Sequence, residues 1–362
     1  MNRSRQSFIS IRAAVLRPPG GALKIERLKL EPPREDEVLV RLAASGICRT
    51  DIDFCESASS PVVLGHEGAG VVERVGQHVK SVKPGDHVVL SYQSCGLCPA
   101  CRHGHPVDCK QFWQANFGFA RLDGSNAYQD GVRGHFFGQS SFATHTLATQ
   151  RNLVKVPKSL PLALLAPLGC GLQTGAGTVL NSLAVTAGSS LAVFGSGAVG
   201  LAAVMAARIA RARTIIAVDL VPRRLKLALG LGATHSVNNG NTNLAEGIAS
   251  ITGGGVDYIV ETSGALCSEA ADLLNPRGTA ALLTGASGPG RLPDGRRVIS
   301  VIQGDAVPQH FIPELIELYQ AGHFPFDRLV KFYRFSEINL AMADAKRGDT
   351  VKPVLRMGLR KA

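Results

Sequence analysis

The sequence predicts an α/β protein in two parts: a strand-rich, barrel-like domain and a doubly wound parallel sheet covered by helices. Three observations predict it. The chain to about residue 150 is a series of short apolar or alternating segments, VLVRLAASGI, GAGVVERVG, GDHVVLS and SFATHTLA, broken by turns such as Pro84-Gly85-Asp86. From about Ser190 the rhythm changes to strand, glycine turn, helix and strand, as SSLAVFGSG, AVGLAAVMAARIA and RTIIAVDL, with further strand patterns at VDYIVETSG and GTAALLTGA. Such alternation implies parallel strands buried on both faces. Finally, 362 residues suit two domains better than one, and 40 glycines fit many tight turns.

The elements follow in order. The start, MNRSRQSFISIRAAVLRPP, is basic but has no long apolar run before a cleavage site, so it is expected to lead into a strand and not to act as an export signal. The tail from about Gln309 carries a helical segment, FIPELIELYQAG, and a short strand near VKPVLRM. No apolar stretch reaches the roughly eighteen residues of a membrane span, so no membrane is expected as a partner. The formal net charge is +11, but the basic residues are dispersed and their densest runs are pairs such as Arg223-Arg224. Without a basic tail or an aromatic–basic strip, nucleic acid is not expected as a partner either.

Four of the eight cysteines, Cys95, Cys98, Cys101 and Cys109, share the spacing C-x2-C-x2-C-x7-C. Four thiolates brought together by short loops close a tetrahedral zinc shell with no open position. The competing reading is packing cysteines or a disulfide knot; the absence of an export signal favours metal. A second set is dispersed: Cys48 in GICRTD, the His66-Glu67 pair in LGHEGAG, and Cys170 in PLGCGLQTG. Two thiolates and an imidazole leave the fourth position that a catalytic zinc needs. Each of these residues alone is as well explained by packing or by a turn.

A third motif, Gly195-Ser196-Gly197-Ala198-Val199-Gly200, directly follows the strand LAVF and opens a helix. The glycines permit a tight turn and close approach of a pyrophosphate to the helix N-terminus. Asp219, nineteen residues after Gly200, ends the next strand pattern. A carboxylate there accepts hydrogen bonds from an adenosine ribose and repels a 2′-phosphate, which points to NAD; Arg223 and Arg224 pull the other way.

GHEGAG, the four-cysteine cluster and GSGAVG, in this order, resemble the zinc-containing medium-chain alcohol dehydrogenases along almost the whole chain. HFFGQSSFATH, GCGLQTGAG, FIPELIELYQAGHFPFDRLVKFY and VKPVLRM look most like the branch acting on aryl and allylic terpenoid alcohols. The resemblance implies a GroES-like β-barrel catalytic domain over 1–171 and 309–362, with a structural zinc lobe at about 92–112, and a Rossmann domain over 172–308. It implies two zinc ions per subunit, with Cys48, His66 and Cys170 as catalytic ligands backed by Asp51 and Glu67. Thr50 matches the hydroxyl that bonds the substrate alcohol. Gly195, Gly197, Val199, Gly200 and Asp219 match the cofactor loop, Arg49 and Lys352 neutralise pyrophosphate, and Arg224 lies near the adenosine ribose. Phe136 matches a pocket aromatic and Phe137 is a second wall, with core packing as the alternative.

One position departs from the family. Five residues after Cys48, where a relay histidine is frequent, stands Asp53. Either its carboxylate takes over the proton relay, or Thr50 hands its proton on through cofactor hydroxyls and water, or Asp53 is a solvated surface acid. Cys55 and Cys267 match no ligand motif. The function implied is hydride transfer between an aromatic or allylic primary alcohol and NAD, in a cytoplasmic homodimer or homotetramer. A polyol or secondary-alcohol dehydrogenase is the alternative among enzymes, and a non-catalytic dinucleotide-binding zinc protein the alternative outside them.

Overall fold

The computed structural model describes residues 7–58, 61–284 and 290–358. The chain divides into two compact units: Met1–Cys170 with Val307–Pro313 and Asp327–Ala362, and Gly171–Ala306 with Glu314–Phe326.

The first unit is built on strands rich in valine, isoleucine and leucine, the residues that fill a pleated, buried surface. Its long central strand, Glu37–Gly46, pairs antiparallel with Glu67–Val75, His145–Thr149 and Lys352–Arg356. The sheet runs Val330–Arg334, Lys352–Arg356, Glu37–Gly46, Glu67–Val75, His87–Leu90, Leu153–Lys155. A smaller sheet places Ile9–Leu16 between Lys24–Leu30 and Val62–Val63. One apolar core, including Leu39, Val88, Phe136 and Phe142, joins these elements. Register decides the site. Gly46 lies opposite Glu67, so the chain that turns into Cys48 lies beside the chain that carries His66. A Cβ at Gly46 would collide with the Glu67 side chain, which is why glycine stands there.

The second unit is a sheet in the order His235–Asn238, Thr214–Asp219, Ser190–Phe194, Val256–Glu261, Leu274–Leu282, Arg297–Ser300, Gly290–Arg291. All pairs are parallel except the last. Renumbered by position in the chain, the parallel strands stand 3-2-1-4-5-6, the doubly wound arrangement whose ligand crevice lies at the carboxyl ends of the strands where the order reverses. Ser190–Phe194 is buried from Leu191 onward, as a central parallel strand must be. The alanine-rich helix Ala198–Ile209 follows it with eight of its twelve residues buried. The segment 263–273, between the strands Val256–Glu261 and Leu274–Leu282, is a succession of bends and turns and not a helix. Among the described residues no single helix is long and apolar enough to cross a membrane.

Candidate active site

The cluster with the tightest spacing lies just beyond strand His87–Leu90. Cys98 caps the one-turn helix Pro99–Arg102, and the sulfurs of Cys95, Cys98, Cys101 and Cys109 all lie within 4.8 Å of one another. The separations Cys98–Cys101, 3.5 Å, and Cys95–Cys101, 4.0 Å, are far beyond the roughly 2.05 Å of a disulfide. Main-chain N–H groups point at the sulfurs instead: Leu97 and Cys98 donate to Cys95, and Cys95 and Gln111 donate to Cys109. Such bonds favour thiolates, and N–H donors from Cys101 and Lys110 hold the Cys98 thiol down at about 6. The donor set fits a closed tetrahedral ion.

The second cluster is assembled from three places in the chain. Cys48 follows the central strand and caps the helix Arg49–Ser57, His66 and Glu67 open the strand Glu67–Val75, and Cys170 ends the turn Ala166–Gly169. One ligand atom from each of Cys48, His66, Glu67 and Cys170 lies within 4.8 Å of the others. His66 and Glu67 are fully buried, and among the described residues His66 Nε2 has no hydrogen-bond partner. A buried ring nitrogen left unpaired costs about 1–3 kcal/mol, so an ion held by Nε2 and the two sulfurs fits the site.

Asp51 fixes this arrangement. Its carboxylate accepts the N–H of Cys48 at 2.9 Å and of Gly65 at 3.1 Å, and lies 2.8 Å from His66 Nδ1. One buried side chain thereby orients the imidazole and ties together the two stretches that carry Cys48 and His66. The Cys48 thiol is held well below its ordinary range by the hydrogen bond from Cys170 and, against the opposing burial, by His66 and Lys352. Burial alone would depress His66, but the adjoining Asp51 charge carries it well above its usual value. Positive charge is favoured on this ring and negative charge on this sulfur.

Lys352 stands at this cluster. The resemblance gives it to a pyrophosphate, but its side chain is 2% exposed and its three hydrogens already meet three acceptors. These are Glu67 Oε1 at 2.9 Å, Glu67 Oε2 at 3.0 Å and the Ile47 carbonyl at 3.2 Å. Burial opposes the charge on Lys352, yet the Glu67 carboxylate outweighs it and raises its pKa. Arg49 by contrast is exposed, and its Nε donates to Asp53 at 2.7 Å, one helical turn on. Asp53 therefore meets solvent and a guanidinium. The Thr50 hydroxyl lies 3.9 Å from the Cys48 sulfur.

Phe136 and Phe137 are both buried and both face His66, with ring centroids 5.5 Å and 4.6 Å from the imidazole. Phe137 adopts a left-handed backbone conformation to do so, unusual for a bulky residue. Four aromatics that sequence reasoning missed extend this wall: Phe54, Phe119 and Phe117 pack on Phe136, and Trp113 stacks on Phe117. The signal for Trp113, Phe117 and Phe119 was the density of aromatic residues just after Cys109, which no helical or strand period connects to residue 136, and Phe54 had none.

The second unit carries the glycine loop between strand Ser190–Phe194 and helix Ala198–Ile209. Gly195 has φ near 90°, and a Cβ at Gly200 would strike the Gly195 carbonyl. Gly197 caps the helix, and Val199 is half-buried in its first turn, where unpaired N–H groups favour an anion. Asp219, at the end of the next strand, accepts the N–H of Ser196 at 2.7 Å and of Val221 at 2.8 Å. The Arg224 guanidinium lies 3.8 Å from the same carboxylate.

Comparison with known proteins agrees with this chemistry. A family model described as an alcohol dehydrogenase GroES-like domain matches residues 34–158, and one described as a zinc-binding dehydrogenase matches residues 198–317. The chain is 44% identical to a geraniol dehydrogenase of Castellaniella defragrans, across 97% of its own length and 98% of the relative's. Among solved structures it is similar to an alcohol dehydrogenase zinc-binding domain protein from Burkholderia ambifaria, at 50% identity and a TM-score of 0.93. It is also similar to a benzyl alcohol dehydrogenase from Acinetobacter calcoaceticus, at 43% identity and 0.93. Each match covers 97% of this chain and all of the solved one.

Proposed function

Because the chain belongs to the zinc-containing medium-chain alcohol dehydrogenases, we propose that it oxidises an aromatic or allylic primary alcohol to the aldehyde with NAD. Zinc-dependent alcohol oxidoreduction with a nicotinamide cofactor is the family's activity and this chain's. One observation carries the finer reading. The Cys48, His66 and Cys170 set, with Cys48 half-buried, the other two buried and two phenylalanines facing it, belongs to a chain similar along nearly its whole length to proteins named for geraniol and for benzyl alcohol.

In this reading Cys48, His66 and Cys170 hold a catalytic zinc, and Cys95, Cys98, Cys101 and Cys109 hold a second, structural one. When bound, the catalytic ion supplies Lewis acidity toward the substrate oxygen, and NAD accepts the hydride. The protein's residues do the rest. The two thiolates offset the ion's charge, while Asp51 keeps His66 in the tautomer that presents Nε2. Thr50 takes the proton of the substrate hydroxyl. Asp53, three residues along the same helix and open to solvent, receives it at the surface. Phe136 and Phe137 exclude water and present aromatic faces to a planar ring or an allylic double bond. The loop Gly195, Gly197, Val199 and Gly200 seats the cofactor's pyrophosphate on the helix N-terminus.

Initial rates of NAD reduction over benzyl, cinnamyl, geranyl and perillyl alcohols, set against short aliphatic alcohols and polyols, test the substrate class. The ring-bearing and allylic alcohols are expected to lead in kcat/KM by at least about tenfold, the scale on which apolar pockets discriminate. A polyol or a secondary alcohol as the best substrate would replace this reading.

NAD is expected over NADP, because the Asp219 carboxylate is buried beside the loop where a 2′-phosphate would bring like charge. Asp219→Ser removes that repulsion and leaves Arg223 and Arg224, so the ratio of kcat/KM values should narrow by about tenfold or more. Equal efficiency with both cofactors in the unaltered enzyme would count against the assignment.

A further inference from the structure

The metal ligands come from distant parts of the chain, so something must hold their main chains in one register. Asp51 does this for Cys48 and His66. We infer that Gln139, acting through Ser91, does it for His66 and Cys170 and is a positioning residue of the catalytic centre. The inference rests on the reading of Cys48, His66 and Cys170 as a metal site.

The Gln139 side chain is fully buried. Its amide nitrogen donates to the His66 carbonyl at 2.9 Å and to the Ser91 carbonyl at 3.2 Å, and its amide oxygen accepts the N–H of Gly68 at 3.0 Å. The Ser91 hydroxyl donates in turn to the carbonyl of Gly169 at 2.7 Å, the peptide that leads into Cys170. One amide and one hydroxyl thus span the two ligand-bearing segments. Each of these four bonds is made to main chain, and none of them occupies a ligand side chain.

The backbone around Gln139 is bent to make this reach. His135, Phe137 and Ser140 all have φ between 55° and 62°, a left-handed conformation that strains a residue with a Cβ. Neighbouring bonds hold the bend: Ser140 Oγ donates to the Val63 carbonyl at 2.6 Å, and the Ser141 and Phe142 N–H groups donate to the carbonyls of Gly65 and Leu64. The whole segment is laced along residues 63–68, the stretch that presents His66. Strain of this kind persists only where the surroundings over-determine it.

The test uses the holoenzyme with cobalt(II) exchanged into the catalytic site, read by its visible absorption bands and by the rate of cobalt loss to dipicolinate. Ser91→Ala removes the hydroxyl's bond to Gly169, and Gln139→Leu removes the tie to His66. Outer residues that orient ligands are worth roughly 10–100-fold in metal affinity or activity. Both variants should therefore show shifted bands, about tenfold faster cobalt loss and a lower kcat with little change in KM, while the four-cysteine ion is retained. Should Gln139→Leu fail to fold, Ser91→Ala decides alone. Parent-like bands and release in Ser91→Ala, whatever happens to its melting temperature, would reduce the pair to ordinary core polar residues and overturn the inference. An unaltered chain that binds only the four-cysteine ion would instead overturn the metal site and the tie together. The parent's own spectrum tells the two failures apart.

Discussion

Cys48→Ser is expected to leave a folded chain whose alcohol oxidation is reduced by roughly a thousandfold or more, since Lewis-acid stabilisation of developing charge is worth several kcal/mol. The fold should survive because Cys48 holds its place by its backbone. Its N–H is bonded to Asp51, and serine is itself a favoured residue at the start of a helix. What changes is the ligand atom. A serine hydroxyl stays protonated at neutral pH where the Cys48 thiol is held low by Cys170, so the site loses a negative donor and with it most of its grip on the ion. Turnover measured beside far-ultraviolet circular dichroism separates the two outcomes. A folded variant that keeps more than a tenth of the parent's kcat/KM would mean that Cys48 is not a ligand.

Lys352→Met is expected to destabilise the chain by about 3–5 kcal/mol, the usual consequence of removing one partner from a buried ion pair. Glu67 is fully buried, and Lys352 is its ion-pair partner through both carboxylate oxygens. Without the ammonium the buried carboxylate loses its ion-pair partner beside two thiolates, where like charge adds to the desolvation penalty. The double substitution Glu67→Gln with Lys352→Met should recover much of the loss, because removing both charges leaves neither uncompensated. Unfolding in urea without nucleotide is the measurement. An unchanged midpoint with a raised KM for NAD would return Lys352 to the pyrophosphate role that the family resemblance suggests.

What could be read from the sequence follows the distance over which each feature is built. The four-cysteine lobe is local: its spacing alone brings the sulfurs together. The glycine loop is local too, since strand, turn and helix succeed one another within a few residues, and the parallel sheet follows from the alternation around it. Cys48, His66 and Cys170 are another matter. Their spacing carries no signal, because the pairing of Gly46 with Glu67 and the turn before Cys170 are what bring them together. Residue chemistry marked them as a candidate ligand set beside the packing and turn readings, and the family resemblance chose between these.

Beyond that the sequence was silent. The bond between Lys352 and Glu67 spans 285 residues, and the reach of Gln139 to His66 spans 73. The resemblance marked Lys352 only for a cofactor role, and Gln139 lay in a family-like stretch with no role of its own. The aromatic wall is likewise made of side chains drawn from separate turns and helices. Asp53 could be placed by position, but its ion pair with Arg49 depends on how the helix presents both to solvent.

The central claim is that one chain carries two metal centres of different kinds, a closed four-sulfur site and an open catalytic one. Zinc content per chain, measured on purified active enzyme and on Cys48→Ser, tests it most directly. Two zinc ions in the parent and one in the folded, inactive variant is the result this account predicts. One zinc ion in both would contradict it.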